Sequence, residues 1–186
     1  MSENSNVNQT PQNDYTVFGG WLLVWYWCLI IGGALMLVSM VVPAVISIAA
    51  SFAIGALYAI GALISIVAVC LAAVFEIKAA IQMKARETKF FDTFMLGVLI
   101  SFGGGILANI LMISSVYSVG TFISSTISSI IGTAISLCLC IMYFSKSVRV
   151  KTYFGCRPLQ SSQYWNFIKV LPDFIIADTA SESSNT

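Results

Sequence analysis

The sequence predicts an all-α protein: an integral-membrane four-helix bundle with both termini in the cytosol. Three observations carry that prediction. Residues 15–75 and 93–145 contain no Asp, Glu, Lys or Arg. A short charged island at 76–92 divides these two blocks, and a basic tail follows the second. Apolar residues make up 58% of the chain and charged residues 9%, against roughly 45–50% and 25% in soluble domains. A soluble chain of this length could not hide so much apolar surface, because its outside must be wetted.

The placement of charge matters more than the net +1. All nine Lys and Arg fall in two places: Lys78, Lys84, Arg86 and Lys89, then Lys146, Arg149, Lys151, Arg157 and Lys169. A charge at the centre of a spanning helix costs about 2.5–3.5 kcal/mol, so their absence from both blocks is what spanning helices require. Cations confined to membrane edges point to the lipid bilayer as partner and exclude nucleic acid.

Residues 1–18 form a polar tail rich in Asn, Gln and Ser, with little to bury, and are expected to be disordered. They lack the basic start of a signal peptide, and the sequon Asn8-Gln9-Thr10 on a cytosolic tail is a chance match. The membrane domain covers 19–157. It opens with Gly19-Gly20-Trp21-Leu22, and Trp21, Trp25, Tyr26 and Trp27 form an aromatic belt of the kind found at bilayer interfaces. A span needs about 20 residues, which places the first at 21–42, ended by Pro43. The turn falls at 43–53, where Pro43, Ser47 and Ser51 interrupt the run, and the second span at 54–76.

The island continues the second helix past the membrane face, since Ala, Lys, Glu, Gln and Met favour helix. Phe90, Phe91 and Phe94 anchor the start of the third span, 93–113. An uncharged connection at 114–120 leads to the fourth, 121–144. Two loops without Lys or Arg alternate with a basic loop and a basic tail. The positive-inside rule therefore puts the island and both ends in the cytosol. In the C-terminal tail, 158–186, Tyr164, Phe167, Ile168 and Leu171 follow helical spacing. A helix over 162–171 would lie in the interface or fold back onto the bundle, and the last residues are expected to be disordered.

Few residues offer chemistry. There is no histidine, which removes His-based triads and zinc hydrolase motifs. With no carboxylate or amine inside a span, a proton relay has no candidate. Catalytic, metal and cofactor sites are therefore not expected. The five cysteines show no disulfide or redox spacing and read as small packing residues. Gly103-Gly104-Gly105 lacks the Lys-Ser/Thr of a phosphate loop.

One polar pattern stands out. Ser124, Ser128, Gly132 and Ser136 recur every fourth residue, with Ser125, Ser129 and Thr133 alongside. In the third span Gly97, Ser101, Gly105 and Asn109 do the same. Small residues so spaced let helix backbones approach. They predict a tight contact between spans three and four, within the protein or with copies of it or a membrane-protein partner. The alternative is a polar seam lining a substrate path, with Asn109 as its most polar member. At the interface, Trp21, Lys84, Arg86, Ser147, Arg149 and Lys151 are placed to meet lipid headgroups, Arg149 offering a bidentate fork to phosphate.

The Gly19-Gly20-Trp21-Leu22 start and the run Tyr143-Phe144-x-x-Ser147-x-Arg149-Val150 after the fourth span resemble a family of bacterial inner-membrane proteins known only as a domain of unknown function. The resemblance covers residues 19–154 and departs from the family pattern at Val148 and Tyr153. It implies four spans and a bacterial inner-membrane location, and brings no activity.

Overall fold

The computed structural model describes residues 16–113 and 119–170. Residues 1–15, 114–118 and 171–186 lie outside it, and with them most of the N-terminal tail, the uncharged turn after span three and the polar C-terminal end. Among the described residues there are six helices: α1 (Trp21–Ile54), α2 (Ala56–Lys84), α3 (Phe90–Ile113), α4 (Val119–Lys146), α5 (Val148–Phe154) and α6 (Trp165–Ile168). No strand occurs among the described residues. Segments Trp21–Ile46, Ala56–Lys84, Phe90–Met112 and Thr126–Lys146 are long and apolar enough to cross a membrane. Helix is what such runs must form, because lipid offers backbone N–H and C=O groups no partner.

Two expected boundaries move. The first helix does not stop at Pro43 but runs through it to Ile54. Proline lacks an N–H, so it deletes one bond of the ladder, and the apolar residues on both sides keep the helix going. The turn falls at Gly55, whose φ of 124° suits glycine alone. Of the short helix expected over 162–171, the described residues form the single turn α6. Ile168 is buried in the core while Phe167 and Val170 are 80% exposed, so this segment folds back onto the bundle.

Close packing centres on α2, which lies against both α1 and α3. Its buried face is a ladder of small residues: Gly61, Ala62, Ala68, Ala72, Ala73, Ala79 and Ala80. A Cβ on Gly104 of α3 would collide with Ala68. One on Gly61 would sit 3.0 Å from the Ala108 carbonyl, and one on Gly33 of α1 would sit 3.1 Å from that of Ala73. Without a hydrophobic driving force between helices in lipid, such backbone proximity supplies the packing energy. The tight seams are therefore α1–α2 and α2–α3. The expected α3–α4 seam is not one of them, since these two helices touch only sparsely.

A second core closes the charged end. Phe90, Phe91 and Phe144 are at most 2% exposed, so the first two phenylalanines are core residues rather than interface anchors. Phe90 packs between Phe144, at a ring distance of 5.0 Å, and Phe154, at 5.3 Å. Trp25 lies against Tyr143 and Phe144. The Tyr153 hydroxyl donates to the Lys84 carbonyl at 2.9 Å, and the Asp92 carboxylate accepts from the Ser162 hydroxyl and the Gln163 N–H. The start of α1, the α2–α3 turn and the segment after α4 thus meet at one end of the bundle.

Several residues expected at the lipid surface are held by this cap. Ser147 caps α5, accepting from the Val150 N–H at 3.4 Å. The Lys84 ammonium lies 5.6 Å from the Tyr26 ring centre. Arg149 Nη1 occupies the space beside Gly19 and Gly20, 3.3 and 3.0 Å from where their Cβ atoms would be. The two motifs that carry the family resemblance therefore meet in space. Trp21, 67% exposed, and exposed Lys151 remain on the outer surface.

Arg86 is the most constrained member. It ends α2 at φ 63°, with Arg86 N–H donating to Met83 and Glu87 N–H to Gln82. This is the two-bond helix ending that ordinarily places glycine at the left-handed position. An arginine stays there because its guanidinium donates to the Thr16 carbonyl at 2.9 Å and stacks 4.6 Å over the Tyr153 ring. Arg86→Ala loses both contacts and keeps the backbone strain, whereas Arg86→Gly loses the contacts and relieves the strain. The glycine variant is expected to be the more stable of the two by about 1 kcal/mol, read from detergent-resolved melts. A glycine variant no more stable than the alanine one would show that the strain is absent.

Candidate functional site

Where α3 and α4 diverge, the bundle leaves an open-sided cleft of about 560 Å³, within the usual range for small-molecule sites. Its wall draws on all four long helices: Trp25, Cys28, Leu29 and Met36 from α1, Glu76 from α2, the Phe94–Asn109 face of α3, and the Thr126–Leu137 face of α4.

The step-of-four stripes divide between this cleft and other surfaces, for a geometric reason. Four residues advance about 400° round an α-helix, so such a row drifts about 40° per step and about 120° over three steps. On α3, Gly97 consequently turns to α2, with its Cβ position 3.1 Å from Phe75 Cβ. Ser101, Gly105 and Asn109 line the cleft. On α4, Ser124 and Ser128 are exposed outside it, whereas Gly132 and Ser136 line it. The row that stays on one face is Thr126, Ser129, Thr133 and Ser136, spaced by threes and fours. Nothing lies within 4 Å of a Cβ on Gly105 or Gly132, so neither is a close-packing glycine within this chain.

One carboxylate reaches the cleft from the end of the expected second span. Glu76 ends the expected second span, α2 continues past it to Lys84, and the Glu76 side chain lies on the cleft wall. Its Oε2 sits 3.8 Å from where a Gly32 Cβ would be, so the glycine leaves α1 open in front of it. Among the described residues no Lys or Arg lines the cleft. The sequence carries a signal for this placement: Trp25, Cys28, Leu29, Gly32 and Met36 form a one-face row on α1. Which helix that row faces is a matter of tertiary packing.

No group of His, Cys, Asp and Glu able to hold a metal occurs among the described residues, and the five cysteines are free thiols. What the arrangement offers is a mostly apolar chamber with hydroxyls, one carboxamide and one carboxylate. Comparison with protein-family models, curated proteins and solved structures finds no match to the chain, so its chemistry is read from these side chains.

Proposed function

We propose that this multi-pass membrane protein takes up a small, membrane-dissolved molecule in the α3–α4 cleft, as a non-enzymatic carrier or transporter component. One observation carries the reading: α3 and α4 flank an open-sided cleft lined by Ser101, Asn109, Ser129, Thr133 and Ser136 where the stripes could have formed a dry seam. Isolated polar groups facing lipid are costly and rare, so several converging on one chamber favour a ligand that uses them. The bundle sits with its island and both ends in the cytosol, following the positive-inside rule. The resemblance to a bacterial inner-membrane family supports the same orientation and a bacterial plasma-membrane location.

Two measurements test this. Cys156 is exposed at the capped end, so a membrane-impermeant maleimide is expected to label it only after cells are permeabilised. Labelling of intact cells would invert the orientation. For the cleft, a protein with Trp25 as its sole tryptophan (Trp21→Phe, Trp27→Phe, Trp165→Phe) is placed in phosphatidylcholine nanodiscs. Titration with 12-bromododecanol should quench Trp25 saturably. In the Gly105→Leu, Gly132→Leu double variant, whose new side chains point into open space, the saturable component should vanish. Purely linear quenching in the unfilled protein, or equal saturation in both, would overturn the proposal.

A further inference from the structure

The ligand class follows from Glu76, if the cleft is a ligand site as proposed above. We infer that the cleft binds amphiphilic organic cations, with the Glu76 carboxylate as partner of the ammonium and the apolar wall holding the tail. The carboxylate is half-buried on the cleft wall and has no ion pair among the described residues. An uncompensated charge in a low-dielectric wall is expensive. A proton or a cation can relieve that cost, and the chamber in front of Gly32 provides room for the second.

The rest of the wall suits such a guest. Trp25 and Phe94 line the cleft, and aromatic faces attract quaternary ammonium groups. Phe94 lies one turn from Gly97, which packs against the Glu76 backbone, so this aromatic ring and the carboxylate share one end of the chamber. From that level to Asn109 the α3 wall extends about 18 Å at 1.5 Å per residue. Met36, Val98, Phe102 and Ile106 border that stretch, enough to accommodate an alkyl chain of about a dozen carbons. An anionic amphiphile finds no Lys or Arg in the wall and would meet Glu76 as a like charge.

The test uses the same sole-Trp25 protein in dodecyl maltoside micelles, whose headgroups carry no ammonium, and two probes of equal chain length, 12-bromododecyltrimethylammonium and 12-bromododecanol. The cation should saturate at lower concentration than the alcohol. Glu76→Gln, which keeps shape and removes charge, should weaken the cation about tenfold, as expected for loss of a charged contact, and leave the alcohol unchanged. Adding phosphatidylethanolamine identifies the source of the ammonium: competition assigns it to a lipid headgroup, and its absence to a free amphiphile. Equal affinity for both probes, or a Glu76→Gln effect of the same size on both, overturns the cation inference and leaves the cleft reading standing. Failure of both probes to saturate removes both. Should Glu76→Gln not fold, the comparison of the two probes on the unsubstituted carboxylate still decides.

Discussion

Gly104→Ala should destabilise the bundle by about 1–3 kcal/mol, the usual cost of forcing extra carbon into a packed seam, while Gly105→Ala should not. The two glycines are adjacent in sequence and chemically identical, so the contrast isolates their surroundings. A Cβ on Gly104 collides with Ala68 of α2, and one on Gly105 meets nothing within 4 Å. The Ala68 side chain has no rotamer to move, so relief requires α2 and α3 to separate. That separation also weakens the neighbouring contact of Gly61 with the Ala108 carbonyl. At Gly105, alanine's better helix propensity should shift stability by no more than about 1 kcal/mol, in the favourable direction. Unfolding midpoints in a dodecyl sulfate titration, followed by helical circular dichroism, would measure both. Equal midpoints would mean that α2 and α3 are not as close as the Ala68–Gly104 contact requires.

The same pair shows what could be read from the residues and what could not. Four helices in a membrane were legible because two charge-free blocks flank the island, a one-dimensional property. The α2–α3 seam was harder, since its α2 half is written in alanine, which also serves as an ordinary helix former. Serines and glycines spaced by four mark α3 and α4 in the sequence, yet that spacing precesses about 40° per step. Gly97 and Asn109 consequently face different neighbours. In sequence Glu76 stands at the end of the second span, at the edge of the charged island. Only the packing of α1 against α2 turns its carboxylate into the cleft. Arg86 and Arg149 look like headgroup ligands in sequence, because the partners that hold them lie about 70 and 130 positions away in the chain. Contacts of that range are invisible to local pattern.

Phe144→Ala is expected to have the largest effect of any single truncation, about 3–5 kcal/mol, the range for emptying a buried phenylalanine site. Helix α4 makes little close backbone contact with the rest of the bundle, so its position depends on its last turns. There Phe144, 2% exposed, meets the rings of Trp25, Phe90 and Phe91, joining α4 to α1 and to the start of α3. Truncation leaves a void at that junction, which the rigid rings around it cannot fill. Leu139→Ala, on a side chain 58% exposed toward lipid, should change stability by no more than about 0.5 kcal/mol. Phe144→Leu should recover part of the loss by refilling volume without the ring contacts. Because α4 supplies one wall of the cleft, Phe144→Ala should also abolish saturable quenching of Trp25, although Phe144 does not line the chamber. If Phe144→Ala melts like the parent and keeps saturable binding, α4 is held by something other than the aromatic cap.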